Sequence, residues 1–331
     1  MNTPEFNTED PRQYALEILN QSSNALREAV SIISPETPDA DPLDVFPAPQ
    51  ERRADDEGIG FTPDQEKRLR ATAAELGFGR SEKRTVSELG LSGGHVIIEG
   101  GQSHKMLAEA LLVSEDESSN PASIIITASP NRQIKEAEQE VTARVLGLDI
   151  GEVASTEYEV AKQVAEKIPG FEKAETETQL PYDYDIDNNF QVSDKPTGQL
   201  SVIGKVSDTP ILLLRVDRED YVDEEGKSKY RKQPDTAALI TIVDSVLRAS
   251  GDETNTIAFV TSGTYQPSRE VDGARASLSV KRIVGIPTYG TALLAKVKGE
   301  PIPAPGPINQ LPGELHKMAL QVKILKQLLE A

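Results

Sequence analysis

Four short runs are apolar at every position: Val96-Ile97-Ile98, Ile124-Ile125-Ile126, Ile211-Leu212-Leu213-Leu214 and Ile257-Ala258-Phe259-Val260. A strand without apolar–polar alternation has both faces covered, as strands do inside a parallel sheet sandwiched between helices. Helical text separates these runs over residues 103–113, 133–146, 156–167 and 235–249, supplying the crossovers that parallel neighbours need. A further short strand is expected over 282–286 and another over 292–297, with helices over 269–277 and 311–329. The sum predicts an α/β chain: a three-layer Rossmann-like domain with a mostly parallel sheet over residues 93–331. Two stretches interrupt it, near 170–200 and 217–234, where acids, Thr, Tyr and Asn run without a sustained period.

Ahead of that domain, Asp10 and Pro11 supply a cap and a first helical residue. Tyr14, Ile18, Leu19, Leu26, Val30 and Ile33 then share one stripe, so residues 1–34 are expected to hold one amphipathic helix. From 35 to 60 the prolines and acids carry too few large apolar residues to offset ordering entropy, which predicts a disordered acidic, Pro-rich linker. On that reading the helix either serves as a tethered docking or self-association element or folds back on its own domain. A helical lead-in follows over 61–92, opened by Thr62 and Gln65 as a capping box.

With 54 acidic and 35 basic side chains the net charge is −19, the wrong sign for holding a phosphate backbone, so no nucleic-acid partner is expected. The absence of cysteine excludes disulfides, thiolate metal sites and a Cys nucleophile. No apolar run is long enough to span a bilayer and no secretory leader pattern opens the chain, so a cytoplasmic protein without a membrane partner is expected. No Ser-His-Asp order, Walker loop or zinc spacing is present, and Gly100-Gly101 falls short of the full dinucleotide fingerprint. The residues therefore name no cofactor and leave open whether the chain is an enzyme.

In open parallel sheets, ligands bind where the strands end and helices begin. Four such ends carry polar residues. Gly100 and Gly101 permit close backbone approach, with Ser103 and Lys105 opening the next helix; the alternative is an ordinary strand-to-helix turn. Ser129, Asn131 and Arg132 leave the second strand, Arg132 being either an oxyanion clamp or a surface partner of Glu136. Asp217 and Asp220 follow the third, as a candidate Mg²⁺ pair or a solvated charge run, and no metal site is preferred over the second reading. Thr261, Ser262, Tyr265 and Arg269 follow the fourth, where hydroxyls, glycine and arginine converge within nine residues, against the alternative of a capped turn. Glu138 and Glu157 are either catalytic or helix caps.

Gly100-Gly101 with Lys105, Glu136-Ala137-Glu138, and Thr261-Ser262 with Arg269 resemble, in order, motifs of the YdcF-like family, the SanA, ElyC and YdcF type of Rossmann-like domain. A helix-start motif of that family has two counterparts here, Ser155-Thr156 and Asp235-Thr236. Tyr265 stands where the family has histidine, Arg269 lies one residue late, and the family's frequent N-terminal membrane segment is not seen. The resemblance covers roughly residues 93–290. It implies binding of a small anionic or nucleotide-like ligand at the C-terminal edge of the sheet, by a transferase or hydrolase, with Glu138 and Thr236 joining the site. The competing expectation is a non-enzymatic interaction or scaffold protein that uses its terminal helices, including a homo-oligomer formed through the first.

Overall fold

The computed structural model describes residues 10–46, 62–75, 86–116, 120–180, 199–216, 219–222, 228–231, 236–249, 251–262, 266–289, 291–300 and 311–331. Its helices begin with α1 (Pro11–Ile33), α2 (Pro42–Val45) and α3 (Pro63–Glu75). The sheet then opens with β1 (His95–Ile98), α4 (Ser103–Ser114), β2 (Ser123–Ala128), α5 (Glu136–Leu146) and α6 (Glu157–Ala165). Next come β3 (Phe171–Leu180), β4 (Gln199–Val206), β5 (Thr209–Arg215), β6 (Glu219–Val222) and β7 (Ser228–Arg231). The last elements are α7 (Thr236–Ala249), β8 (Thr256–Ser262), α8 (Gln266–Val280), β9 (Ile283–Gly285), β10 (Thr288–Tyr289), α9 (Thr291–Lys298) and α10 (Leu311–Glu330).

The main sheet is eight-stranded in the order β10-β8-β1-β2-β5-β4-β3, with β9 also pairing β8. β1, β2, β5, β8, β9 and β10 pair in parallel, and β4 and β3 add an antiparallel edge. The continuous apolar runs work as expected, odd and even residues serving opposite layers. Val96, Ile98, Ile124, Ile126, Ile211 and Leu213 face a core shared with α1, α4, α6 and α10. Ile97, Ile125, Leu212, Leu214, Ile257 and Phe259 face Leu239, Ile240, Val243 and Val246 of α7. Burying an apolar side chain of this size stabilises the fold by about 1.5–3 kcal/mol, so these two packed faces fix the register.

Chain direction across the sheet reverses once. From β1 the chain moves through α4 to β2 and crosses to β3 at the far edge, then returns through β4 to β5, and α7 carries it to β8 on the other side of β1. The C-terminal ends of β1 and β8 therefore flank the topological switch point.

Within the α/β domain, three segments differ from their sequence reading. Phe171–Leu180 lies in the first expected interruption yet forms β3, because an edge strand needs only one covered face and no continuous apolar run. The second interruption carries the β6–β7 hairpin, a separate two-stranded sheet. Residues 292–297, expected as a strand, lie in α9, where Leu293, Leu294 and Val297 meet the core at helical spacing; a short apolar run does not by itself distinguish the two periods.

The first helix folds back. Tyr14, Ile18, Leu26 and Val30 are buried against α8 and α10, the Tyr14 hydroxyl donates to the Val284 carbonyl at 3.1 Å, and Arg12 donates to the Leu329 carbonyl at 2.6 Å. The apolar stripe that suggested docking is thus spent inside the molecule. The stretch expected as a disordered linker is instead ordered over residues 35–46: α2 lies in it, the Phe46 ring is buried in the core and the Phe46 carbonyl accepts from His316 Nδ1 at 2.6 Å; residues 47–61 lie outside the described residues. Thr62 and Gln65 make the expected capping box, each backbone N–H meeting the other's side chain. No described helix is long and apolar enough to cross a membrane.

Candidate functional site

At the end of β1 the backbone must pass close to β2. A Cβ on Gly100 would lie 2.3 Å from the Thr127 carbonyl oxygen, so only glycine fits. The Gly100 N–H donates to Thr127 Oγ1 at 3.0 Å, and that hydroxyl donates to the Ile98 carbonyl at 3.3 Å. This stitch fixes the turn that presents Glu99 and starts α4.

Across the switch point, the first turn of α8 presents Arg269. Its Nη2 donates to Glu99 Oε1 at 2.9 Å and its Nη1 to Asp272 Oδ2 at 3.3 Å, while its buried Nε has no hydrogen-bond partner. Burial opposes its charge, but Glu99, Asp272 and Glu314 outweigh that cost and raise its pKa. Glu109, one and a half turns into α4, is 3% exposed and accepts a backbone hydrogen bond from Glu99. Burial pushes its pKa well above the usual carboxylate range, the negative charge of Glu99 adds to the push, and Lys105 and Arg269 only partly oppose it. Its Oε2 has no hydrogen-bond partner, and neither has Gln266 Oε1, one turn before Arg269 on α8. Glu99, Glu109 and Arg269 thus bring two carboxyls and a guanidinium together at the switch point, with the Gln266 amide one turn before Arg269 on the same helix.

The expected residues divide around this cluster. Lys105 lies in the first turn of α4, half-buried, near enough to bear on Glu109 and His104. Arg132 serves as a strut rather than a clamp: it donates to the Gly101 carbonyl at 3.3 Å and to Glu138 at 2.5 Å, and lies 3.5 Å from Glu157. Its carboxylate partner on α5 is Glu138, not Glu136. Glu138 also accepts from the Lys135 N–H at 3.2 Å, and Glu157 from the Ser129 N–H at 2.8 Å, so both acids hold helix starts and loops in place. Ser129 is buried, its hydroxyl accepting from the Asn131 N–H at 3.3 Å. The Ser103 hydroxyl turns to Thr142, 2.8 Å away, inside the α4–α5 contact.

Of the two helix-start motifs, Thr156 caps α6 by accepting from the Glu159 N–H at 3.4 Å, and α6 abuts the Ser129–Arg132 loop through Glu157 N–H to Arg132 O and Tyr158 N–H to Ser129 O. Thr236 opens α7, buried, its Oγ1 without a hydrogen-bond partner. Thr261 is buried in β8 and Ser262 ends that strand opposite Tyr289. Tyr265 and Asp217 lie outside the described residues, and Asp220 sits in β6 of the separate hairpin. Among the described residues no group of three His, Asp or Glu side chains could hold a metal ion.

Two constellations escaped the sequence reading. Ser103's neighbour His104 is buried, its Nδ1 without a hydrogen-bond partner; burial, then Lys105 and Lys298, lowers its pKa to about 4, so it is a neutral imidazole at pH 7. At the opposite end of the sheet, His95 Nδ1 lies 2.7 Å from Ser123 Oγ and its Nε2 2.9 Å from Asp252 Oδ2. The three residue types of a hydrolase triad meet there, yet the arrangement is a strut. Ser123 and His95 are buried where strands begin, and Asp252 is also engaged by Arg282 at 3.1 Å and the Thr254 N–H at 2.9 Å. Glu109 did leave a trace in the text, as a lone acid within the apolar helix run Met106 to Leu112.

Fold and site together define a Rossmann-like α/β protein with a polar cluster at its switch point. No family model matches the chain, and no curated protein or solved structure does.

Proposed function

We propose that this is a YdcF-like cytoplasmic protein that binds a small anionic or nucleotide-like ligand between the ends of β1 and β8, in a site suited to a transferase or hydrolase. The observation that carries the reading is the Arg269 guanidinium, held by Glu99 across the switch point with its Nε still unpartnered. Arg132, the other candidate clamp, is committed to Gly101, Glu138 and Glu157. A carboxylate-held guanidinium is already oriented, so an oxyanion that replaces Glu99 does not have to order it. Thermal-shift and calorimetric titration with inorganic phosphate, sugar phosphates and nucleoside monophosphates tests this. At least one should raise the melting temperature by several degrees, and Arg269→Ala should weaken it about tenfold or more. An unchanged affinity in Arg269→Ala, or no shift across the panel, rejects the reading.

The scaffold reading has one observation behind it: Leu16 on α1 and Leu320 and Leu328 on α10 are each more than 40% exposed. Sedimentation of the native chain and of Leu16→Glu/Leu320→Glu decides it. A native dimer that the double variant dissolves favours association through these helices; a monomer in both dismisses it.

A further inference from the structure

The unpartnered buried atoms at the switch point do not all ask for the same thing, and the mixture specifies a ligand. This inference rests on the binding reading above and sharpens it. Arg269 Nε is a donor on a cation and calls for an anionic oxygen. Gln266 Nε2 is fixed by donating to Glu270 Oε1 at 2.6 Å, which makes the unpartnered Oε1 an acceptor in need of an O–H or N–H. Gln266 and Arg269 are three residues apart on α8, so they share a face. Glu109 is the third element: one side of its carboxyl takes the Glu99 N–H, and the other oxygen is left unpartnered at 3% exposure. Burial, and next the neighbouring Glu99, raise its pKa and so favour its protonated form. In that form it adds no charge to repel an anion and can both give and accept one hydrogen bond, which is the complement of an alcohol.

We propose that the ligand is a phosphorylated polyol, its phosphate on the Arg269 guanidinium and its hydroxyls on the Glu109 carboxyl and the Gln266 amide oxygen. A simple carboxylate or inorganic phosphate satisfies Arg269 and leaves two buried polar groups desolvated and unpaired; a polyol phosphate satisfies all three. A site built to hydrogen-bond a hydroxyl rejects the analogue that lacks it.

Calorimetric titration of the full chain tests this with ribose 5-phosphate, glucose 6-phosphate, adenosine 5′-monophosphate, inorganic phosphate and pentyl phosphate, which has a five-carbon chain and no hydroxyl. The expected result is that a hydroxyl-bearing phosphate binds about 10- to 100-fold tighter than pentyl phosphate. Preference for the sugar phosphates or for the nucleotide identifies which source of the polyol phosphate the site takes. Glu109→Leu should erase the hydroxyl preference and Glu109→Gln, which keeps a donor and an acceptor, should retain it. If Glu109→Leu does not fold, the comparison of ligands on the native chain decides alone. Equal affinity for pentyl phosphate and the polyol phosphates overturns the inference and leaves the Arg269 site standing. Binding of none of the five overturns both.

Discussion

Where its parallel strands begin, the sheet buries Arg282 between Asp244, 2.5 Å away, and Asp252, 3.1 Å away, with His95 and Arg248 as their other partners. Where the same strands finish, Arg269 meets Glu99 and Asp272, while atoms of Glu109, Gln266 and Arg269 itself stay buried without a hydrogen-bond partner. Both ends are rich in charge and each holds an arginine between two carboxylates; Arg282 Nε lacks a hydrogen bond too but lies 2.5 Å from Asp244 Oδ1, whereas at the second end Glu109 Oε2 and Gln266 Oε1 are buried acceptors without a hydrogen-bond partner. A matched buried network holds a fold together; an incomplete one costs stability unless something else completes it. Charge density alone therefore does not distinguish the two ends; the buried acceptors left over at the second do.

The largest expected effect breaks the matched end. Arg282→Ala leaves Asp244 and Asp252 without their buried cation and should cost about 3–5 kcal/mol in urea denaturation. A loss below about 1 kcal/mol would mean that this end is not the structural anchor. Next comes the turn at the other end. Gly100→Ala drives a methyl into the Thr127 carbonyl and should cost about 1–3 kcal/mol, with weakened ligand binding; native stability in that variant would mean that the β1–β2 contact is looser than described.

Dependence on pH sharpens the contrast, because the two ends titrate in opposite senses. At the matched end, burial works against the Asp252 charge, but hydrogen bonds from His95, Thr254 and Arg282 hold its pKa at about 2, below the ordinary value of 3.8. The stability it contributes is present above 3.8 and is lost as pH falls through about 2. Glu109 is the reverse: its pKa in the fold is raised above 4.5, so its contribution is full below 4.5 and is lost as pH rises through the raised value. Urea midpoints measured across pH should therefore show Glu109→Gln gaining on the native chain as pH rises above 4.5, and Asp252→Asn flattening the acid limb. Parallel curves for Glu109→Gln and the native chain would show that Glu109 is ionised in the fold. The smallest effect sets the baseline: Lys173 and Glu166, paired at 3.0 Å but 70% and 47% exposed, should contribute under about 0.5 kcal/mol by double-mutant cycle. A larger coupling would show that exposed pairs on this protein are not a neutral reference.

Much of the scaffold was legible in the text, and for a local reason. The runs at Val96, Ile124, Ile211 and Ile257 have no polar face, which left only the interior of a parallel sheet for them. β3 was illegible because an edge strand has no such requirement, and α9 because six apolar-rich residues fit either period. At the site, Arg269 and Gly100-Gly101 could be picked out from their place after strands. Arg132 offered the same guanidinium chemistry as Arg269 on a less specific loop, and only its three partners in space show that it is a strut.

By itself, then, the sequence determined the layered architecture and the edge at which polar loops gather, since both follow from apolar periodicity and strand direction. The tertiary structure decided the rest: that α1 is packed rather than tethered, that His95, Ser123 and Asp252 meet where strands begin, and that Glu109 lies beneath Glu99 and Arg269. Those outcomes depend on which side chains from distant segments come within a few ångströms and how much water is left between them. No local pattern encodes that, because burial and pairing are properties of the packed chain.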